Sequence, residues 1–487
     1  MSSKSVIVIG GGLAGLSSGA ALASAGYRVT LIERRPFLGG RATSYVLPSG
    51  EHIDNCQHVT LGCCTNLEDF YRRAGAADKI RYYDELIFAE SDGRRGTIRA
   101  SSLPVPLHFA PSFAKFRLLK WTDKRAIGRL MMLIAQSAGR PPDLQESGVR
   151  PNMLDWLRRH GQTEAAIARF WGVVLVSALD EQLDRIDAQY GVDVFWKAFL
   201  ANRAGYRVGI PSVPLADLYD GCRVALEESG GIVRLRTPAR ELQVVANGVV
   251  GVAVESGDAL HADHYIAAVP HDILLDLLPA EAVARMPAFS NLANLRSSPI
   301  TGVHFWFDRE VMTEPFLALV DAKTQWIFNK TLLYGGRNSA PEGAPPTGQY
   351  LQLVISASYD LVESTRQEIV DLCLKEVRGV LPAARTAQLL KSTVVKEVAA
   401  TFSPEPGCDR WRPAVRSPLE GLFLAGDWTA TGWPATMEGA VRSGYLAAEA
   451  ILASDGQHQT LLRPDLPVEG ISKWLADRAG EKSRESE

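Results

Sequence analysis

The residues best suited to chemistry are glycines, acids and an arginine near the two ends of the chain. Gly10, Gly12 and Gly15 follow the apolar run Val6-Ile7-Val8-Ile9, with a small-residue helical pattern from Leu16 to Ala25 close behind. Tyr27 to Ile32 then reads as a second buried strand, and Glu33 stands eighteen residues beyond Gly15. Each part has a physical task. Gly10 allows a tight turn, Gly12 lets backbone approach a pyrophosphate, and Gly15 lets helix and strand pack closely. The helix mouth at Leu13 and Ala14 faces the phosphates, and Glu33 accepts ribose hydroxyls. Strand, glycines, helix, strand and acid fall in the order a dinucleotide site requires.

The elements that must position these groups form an α/β chain of 487 residues, long enough for about three domain-sized units. Apolar residues make up 46%, charged residues 22%, and the net charge is −3, a balance that argues against nucleic acid as a partner. The six cysteines are too scattered for a disulfide framework or a zinc site, and Cys56, Cys63 and Cys64 read as small buried residues. No signal peptide or membrane-crossing run is expected, so the expected compartment is the cytoplasm.

The segment Arg34-Arg35-Pro36-Phe37-Leu38-Gly39-Gly40-Arg41-Ala42 resembles the second glycine motif of the flavoprotein group that contains amine oxidases and carotenoid desaturases. The resemblance implies FAD, with Arg34, Gly40, Arg41 and Ala42 at the cofactor and Arg41 on its pyrophosphate. Near the other end, Gly421 to Trp428 reads as a strand ending in Gly426-Asp427, and Gly432 to Gly444 opens a helix running to about Leu452. In the same group such an acid binds the ribitol, which falls to Asp427. The helix opening, Met437 to Ala440, meets the pyrimidine edge, where a helix N-terminus favours reduced, anionic flavin. Glu438 reads equally well as an ordinary first-turn acid. A third piece, Ile232 to Arg240, resembles the adenine-contacting strand and puts Ala239 at the contact. The runs 249–255 and 259–265 then read as a hairpin.

The expected architecture is therefore a discontinuous Rossmann-type FAD domain (1–80, 206–290 and 415–455), a helical, membrane-facing substrate subdomain (81–205), a mixed-sheet substrate domain (291–414) and a tail (456–487). Strands are expected at 297–307 and 349–357, helices over 156–199 and 361–380, a Gly/Pro-rich loop at 335–348, and a frayed helix from Lys473. With one dinucleotide fingerprint and no second for a nicotinamide, the electron donor is expected to be external.

Asp54-Asn55-Cys56-Gln57-His58 should run along the isoalloxazine. With Phe170-Trp171, Gly209-Ile210-Pro211 and the phrase 424–444, it resembles the bacterial hydroxysqualene dehydroxylases, also called squalene-associated FAD-dependent desaturases. That resemblance, which covers nearly the whole chain, implies reductive loss of an allylic hydroxyl from a long-chain isoprenoid in hopanoid precursor synthesis. His58 is the expected acid, being the titratable group of that stretch nearest neutrality, with Gln57 beside it, Asp54 structural, and Trp428 and Trp433 as a cation-stabilising wall. Ala178-Leu179-Asp180-Glu181 departs from the pattern by carrying acids. Residues 103–121 mix large apolar groups with Lys115, Arg117 and Lys120, which suits peripheral contact with the inner face of the cell membrane, and three prolines there oppose helix in the first half. Alternatives are a carotenoid-type desaturase, an amine oxidase, from whose covalent-flavin motif the surroundings of Cys408 differ, and a flavin-free prenyl-binding chaperone.

Overall fold

The computed structural model describes residues 4–145, 148–335 and 348–485. A five-stranded, all-parallel sheet is ordered 232–234, 28–32, 5–9, 264–267, 422–424, so three distant parts of the chain meet in one layer. Val6 to Ile9 are buried, as a strand covered on both faces requires. The helix after it begins at Leu13 rather than Leu16 and ends at Ser24. Gly12 is extended and accepts Leu16 N–H at 2.9 Å, which sets the first turn earlier than the apolar pattern alone suggests.

Helix Met437–Ser454 lies against this first helix. Gly444 permits the approach: a Cβ there would stand 2.1 Å from Ser17 Oγ and 2.4 Å from the Ala14 carbonyl. Thr436 caps the helix by accepting Gly439 N–H at 3.0 Å.

A second, mixed sheet of seven strands runs 389–402, 297–307, 349–355, 326–329, 316–319, 85–89, 95–99. Two of its strands, Glu85–Ala89 and Arg95–Arg99, come from the segment expected to be helical, so that segment is not helical throughout. Helix Arg366–Val380 covers one face, burying Ile369, Cys373 and Val377 against Val303, Phe305 and Leu351. It starts five residues later than expected because Thr365 and Glu368 form a reciprocal capping box.

The expected hairpin is present, 248–254 pairing antiparallel with the short 259–260, and a third strand, 239–245, extends it to a meander. Asp263 accepts hydrogen bonds from Ser5 N and Ser5 Oγ, both at 2.7 Å, and so delivers residues 264–267 to the parallel sheet. The region 156–199 is helical but interrupted, with π-helical turns at Ile167–Trp171 and Trp196–Leu200 and a break after Leu179. Pro111 is accommodated in the first turn of the short helix Ala110–Lys115. The end of the chain forms a helix, Gly470–Glu485. Most of the expected 335–348 loop lies outside the described residues. No helix among the described residues is long and apolar enough to cross a membrane.

Candidate active site

Between the two sheets lies a cleft of about 570 Å³. One end is walled by Glu33, Arg34, Thr237, Pro238 and Ala239, the middle by Gly12, Gly40, Arg41 and Asp427, and the far end by Cys56, His58, Asp180, Trp428 and Met437. Of the expected cofactor residues, Gly10, Leu13, Ala14, Ala42, Gly426 and Ala440 also border it.

Gly15 does not line the cleft; it supports it. A Cβ at Gly15 would lie 2.0 Å from the Gly10 carbonyl, so the close packing read from the sequence is a steric requirement. Gly10 has φ +109°, and a Cβ there would meet the Ala268 carbonyl at 2.4 Å. At Gly12 the position of a Cβ is open, its nearest neighbour being Gly40 Cα at 3.9 Å. Gly12 offers no side chain to the first-turn amides, which are left for a ligand. The glycine motifs also clasp each other, Gly39 N–H donating to the Gly11 carbonyl at 2.8 Å.

Glu33 is 6% exposed, and its two oxygens accept Gly11 N–H and Arg35 N–H, each at 2.7 Å. It fastens both loops. Arg34 is exposed at the rim, whereas Arg35 folds inward, its Nη1 donating to the Gly40 carbonyl at 3.0 Å. Arg41 donates from Nη2 to both oxygens of Asp427 at 2.9 Å and from Nη1 to the Ala400 carbonyl at 2.6 Å. The two groups expected at the middle of the cofactor therefore meet as an ion pair at the cleft wall. Glu438 points elsewhere: it accepts Asn66 N–H and Leu67 N–H at the start of helix Thr65–Arg73 and pairs with Arg442 at 2.7 Å.

At the far end His58 lines the cleft with Nδ1 2.9 Å from the Cys56 carbonyl. Burial lowers its pKa, opposed by the Cys56 carbonyl and Asp54. A neutral imidazole with Nδ1–H on a carbonyl presents an acceptor at Nε2. These surroundings favour His58 as a proton acceptor over the acid role expected of it. Gln57 is held rather than free, its Oε1 accepting Lys330 Nζ at 2.8 Å. Lys330 is fully buried and ion-paired with Asp54 at 2.7 Å. Asp54 Oδ2 also accepts Tyr334 O–H at 2.7 Å, and Oδ1 accepts Ser44 O–H at 2.7 Å. Burial would raise the Asp54 carboxyl, but Lys330 and the two hydroxyls outweigh it and hold it below its ordinary range. Both oxygens of Asp54 are engaged by these partners, and nothing in the sequence around Lys330 announces the pairing.

Trp428 borders the cleft, its Nε1 donating to the Val269 carbonyl at 3.0 Å. Trp433 does not; it lines a second chamber, with Lys197 and Arg442 already 5.0 and 4.8 Å from its ring centroid. That ring is occupied by protein cations, which removes it from the expected wall beside the flavin. The second chamber, about 230 Å³, has a mainly apolar lining that includes Leu61, Leu67, Phe88, Val174, Phe199 and Phe328. It shares Gln57, Val59, Ser177, Val354 and Met437 with the cleft, so the two lie side by side. Burial pushes the Cys56 thiol up to about 12, consistent with an inert packing residue.

Fold and cleft together define an α/β protein built to hold a dinucleotide. Residues 13–452 match the family described as flavin containing amine oxidoreductase, and the chain belongs to it. It is 28% identical over 466 residues to 15-cis-phytoene desaturase of Solanum lycopersicum, covering 92% of this chain and 77% of that one. It is 26% identical over 486 residues to zeta-carotene desaturase of a Synechocystis species, covering 93% and 98%. In fold it resembles an oxidoreductase from Methanosarcina mazei (TM-score 0.69, 17% identity, 92% and 100% covered). It also resembles cyclohexylamine oxidase from Brevibacterium oxydans (TM-score 0.66, 18% identity, 93% and 100% covered). The protein is an FAD-dependent oxidoreductase. The cleft fits that cofactor: open space at Gly12, uncapped first-turn amides, an arginine and an acid at mid-length, and the N-terminus of a capped helix at the far end.

Proposed function

We propose that the protein acts on a long-chain isoprenoid, removing the allylic hydroxyl of hydroxysqualene to give squalene. The observation that carries this reading is a greasy chamber set directly beside the far end of the cofactor cleft, with Gln57, Val59, Ser177 and Met437 lining both. Bound FAD supplies two-electron hydride chemistry at its isoalloxazine. The chain's own part is to bury the hydrocarbon, exclude water from the reacting carbon, and bring a proton to the departing hydroxyl. The face of Trp428 beside the cleft suits an electron-poor allylic centre, a contribution of about 1–2 kcal/mol when desolvated. The electron donor that reduces the flavin is external in this reading.

A second reading, desaturation of a phytoene-like chain, is favoured by the names of the relatives at 26–28% identity. It uses the same chamber with hydride moving the opposite way. Anaerobic incubation of the reduced protein with hydroxysqualene, and of the oxidised protein with phytoene, separates the two by the hydrocarbons formed. Squalene in the first and unchanged phytoene in the second is the expected result; conjugated polyene in the second contradicts it.

Substrate entry from a membrane surface belongs to the same proposal. Leu103, Leu107 and Trp121 are 41, 39 and 66% exposed. The C-terminal helix joins them, Ile471 N–H donating to the Val105 carbonyl at 2.8 Å, and it adds Trp474 at 55% exposed. Phe109 of this segment contacts Phe199 and Tyr206, which line the chamber (ring centroids 5.9 and 4.7 Å). Phe116, by contrast, is buried against Phe88 and cannot reach a bilayer. Changing Leu103, Leu107 and Trp121 together to serine is expected to release the protein from anionic vesicles in co-sedimentation, at least about tenfold, because insertion scales with apolar area. Equal partitioning of variant and parent contradicts membrane loading.

A further inference from the structure

The acids at 180 and 181, which depart from the resembled pattern, have divided duties. Glu181 is fully buried and belongs to the scaffold: it accepts from Tyr359 O–H at 2.6 Å and from Ser403 Oγ, and Arg185 lies 3.5 Å away. Asp180 stands at the wall of the cleft beside Ser177, Ala178 and Ser356, on the same cavity as His58 and Trp428. It is 4% exposed, and among the described residues no cation lies within ion-pair distance of it. Its Oδ1 accepts Ala357 N–H at 2.8 Å and its Oδ2 accepts Thr401 O–H at 2.9 Å.

Its backbone is unusual as well. Asp180 ends helix Gly172–Leu179 in the left-handed region, φ 49° and ψ 42°, and its partner Ala357 also has positive φ, 48°. Two non-glycine residues in this conformation, hydrogen-bonded to each other at a cavity wall, are held there by the surrounding structure. The result is a carboxyl presented to the cleft without a neutralising partner.

Resting on the isoprenoid reading above, we propose that Asp180 is the catalytic proton donor to the departing hydroxyl of the substrate. The carboxyl O–H bond breaks and its proton joins the hydroxyl oxygen. The allylic C–O bond breaks with its electron pair leaving as water, and the carbon takes a hydride, with its two electrons, from reduced flavin. Asp180 is left as a carboxylate and recovers its proton from solvent. Burial raises the Asp180 carboxyl well above its ordinary range; the Ala357 amide and Thr401 hydroxyl pull it back in part, Glu181 pushes it up and Arg41 draws it down. Cys56, itself pushed up to about 12, and the neutral His58 are the other titratable groups facing this part of the cleft. A neutral acid in such a site has the state the chemistry needs.

The test uses the full-length FAD-loaded protein and Asp180→Asn. Asparagine tolerates the left-handed backbone and keeps an acceptor for Ala357 N–H, so FAD content and thermal midpoint should hold. The infrared spectrum near neutral pH should show a protonated-carboxyl band that this variant lacks. Turnover of hydroxysqualene should fall about 10²–10⁴-fold, with loss of the alkaline limb of its pH profile. A second variant, Thr401→Val, removes a donor to the charged form and should move that limb upward with FAD retained. An unchanged infrared band, an Asp180→Asn turnover equal to the parent's, or an unmoved limb in Thr401→Val overturns the assignment. If the parent leaves hydroxysqualene untouched while the band still depends on Asp180, the substrate reading alone fails and the proton-bearing carboxyl stands.

Discussion

Gly15→Ala is expected to purify almost colourless. The added methyl would stand 2.0 Å from the Gly10 carbonyl and 3.2 Å from Val8 Cγ1, neither of which is the end of a flexible side chain. The first helix must move away from the opening strand, and its uncapped amides move with it. Overpacking of this kind costs about 1–3 kcal/mol of stability. Displacing the phosphate-binding turn should lower FAD affinity at least about tenfold, the consequence of losing 1.4 kcal/mol. Gly12→Ala separates the two effects. Its methyl meets open space, so the thermal midpoint should hold while the methyl would intrude on a pyrophosphate bound at this turn. Thermal unfolding and flavin absorbance of the two variants check this: a Gly15→Ala protein as yellow and as stable as the parent contradicts the packing account.

Lys330→Met is expected to give the largest loss of stability from a single polar position. Its ammonium is fully buried between Asp54 and Gln57, 2.7 and 2.8 Å away. Removing it leaves an uncompensated carboxylate in the interior, a cost of about 3–5 kcal/mol. Asp54→Asn added to Lys330→Met should restore much of that loss, because the orphaned charge is gone. The pH dependence has a definite sign. Asp54 is held below its ordinary carboxylate range in the folded protein, so its contribution is present above that range and disappears as pH falls through the depressed value. Denaturant unfolding of parent, single and double variants measures all of this. A double variant no more stable than Lys330→Met contradicts the view that the lost partner charge dominates.

The parts legible in the sequence were those whose chemistry is local. Gly10, Gly12, Gly15 and Glu33 occupy one strand-turn-helix-strand unit, and spacing alone gives their geometry. Asp427 and Met437 were readable for the same reason, as a strand end followed by a helix mouth. Ala239 lines the cleft, although the strand that joins the parallel sheet is Ile232–Arg234 and the chain bends between the two. What stayed hidden depends on contacts across hundreds of residues. Asp180 becomes a cleft acid only because Ala357 and Thr401 close around it, and in the sequence it was merely an unexpected acid. Lys330 meets Asp54 from 276 positions away, and nothing near it announces a buried charge. Trp433 shows the converse: adjacent to the flavin motifs in sequence, it turns into the second chamber because Lys197 and Arg442 hold its ring.

The central claim is that three separated segments hold one FAD whose reactive end lies beside an apolar chamber. It is tested most directly by titrating the purified yellow protein with hydroxysqualene and, separately, with putrescine while recording the flavin absorbance. One FAD per chain and a saturable band shift with the isoprenoid alone is the result this account predicts. A flavin spectrum that ignores the isoprenoid, or that responds equally to the diamine, would contradict it.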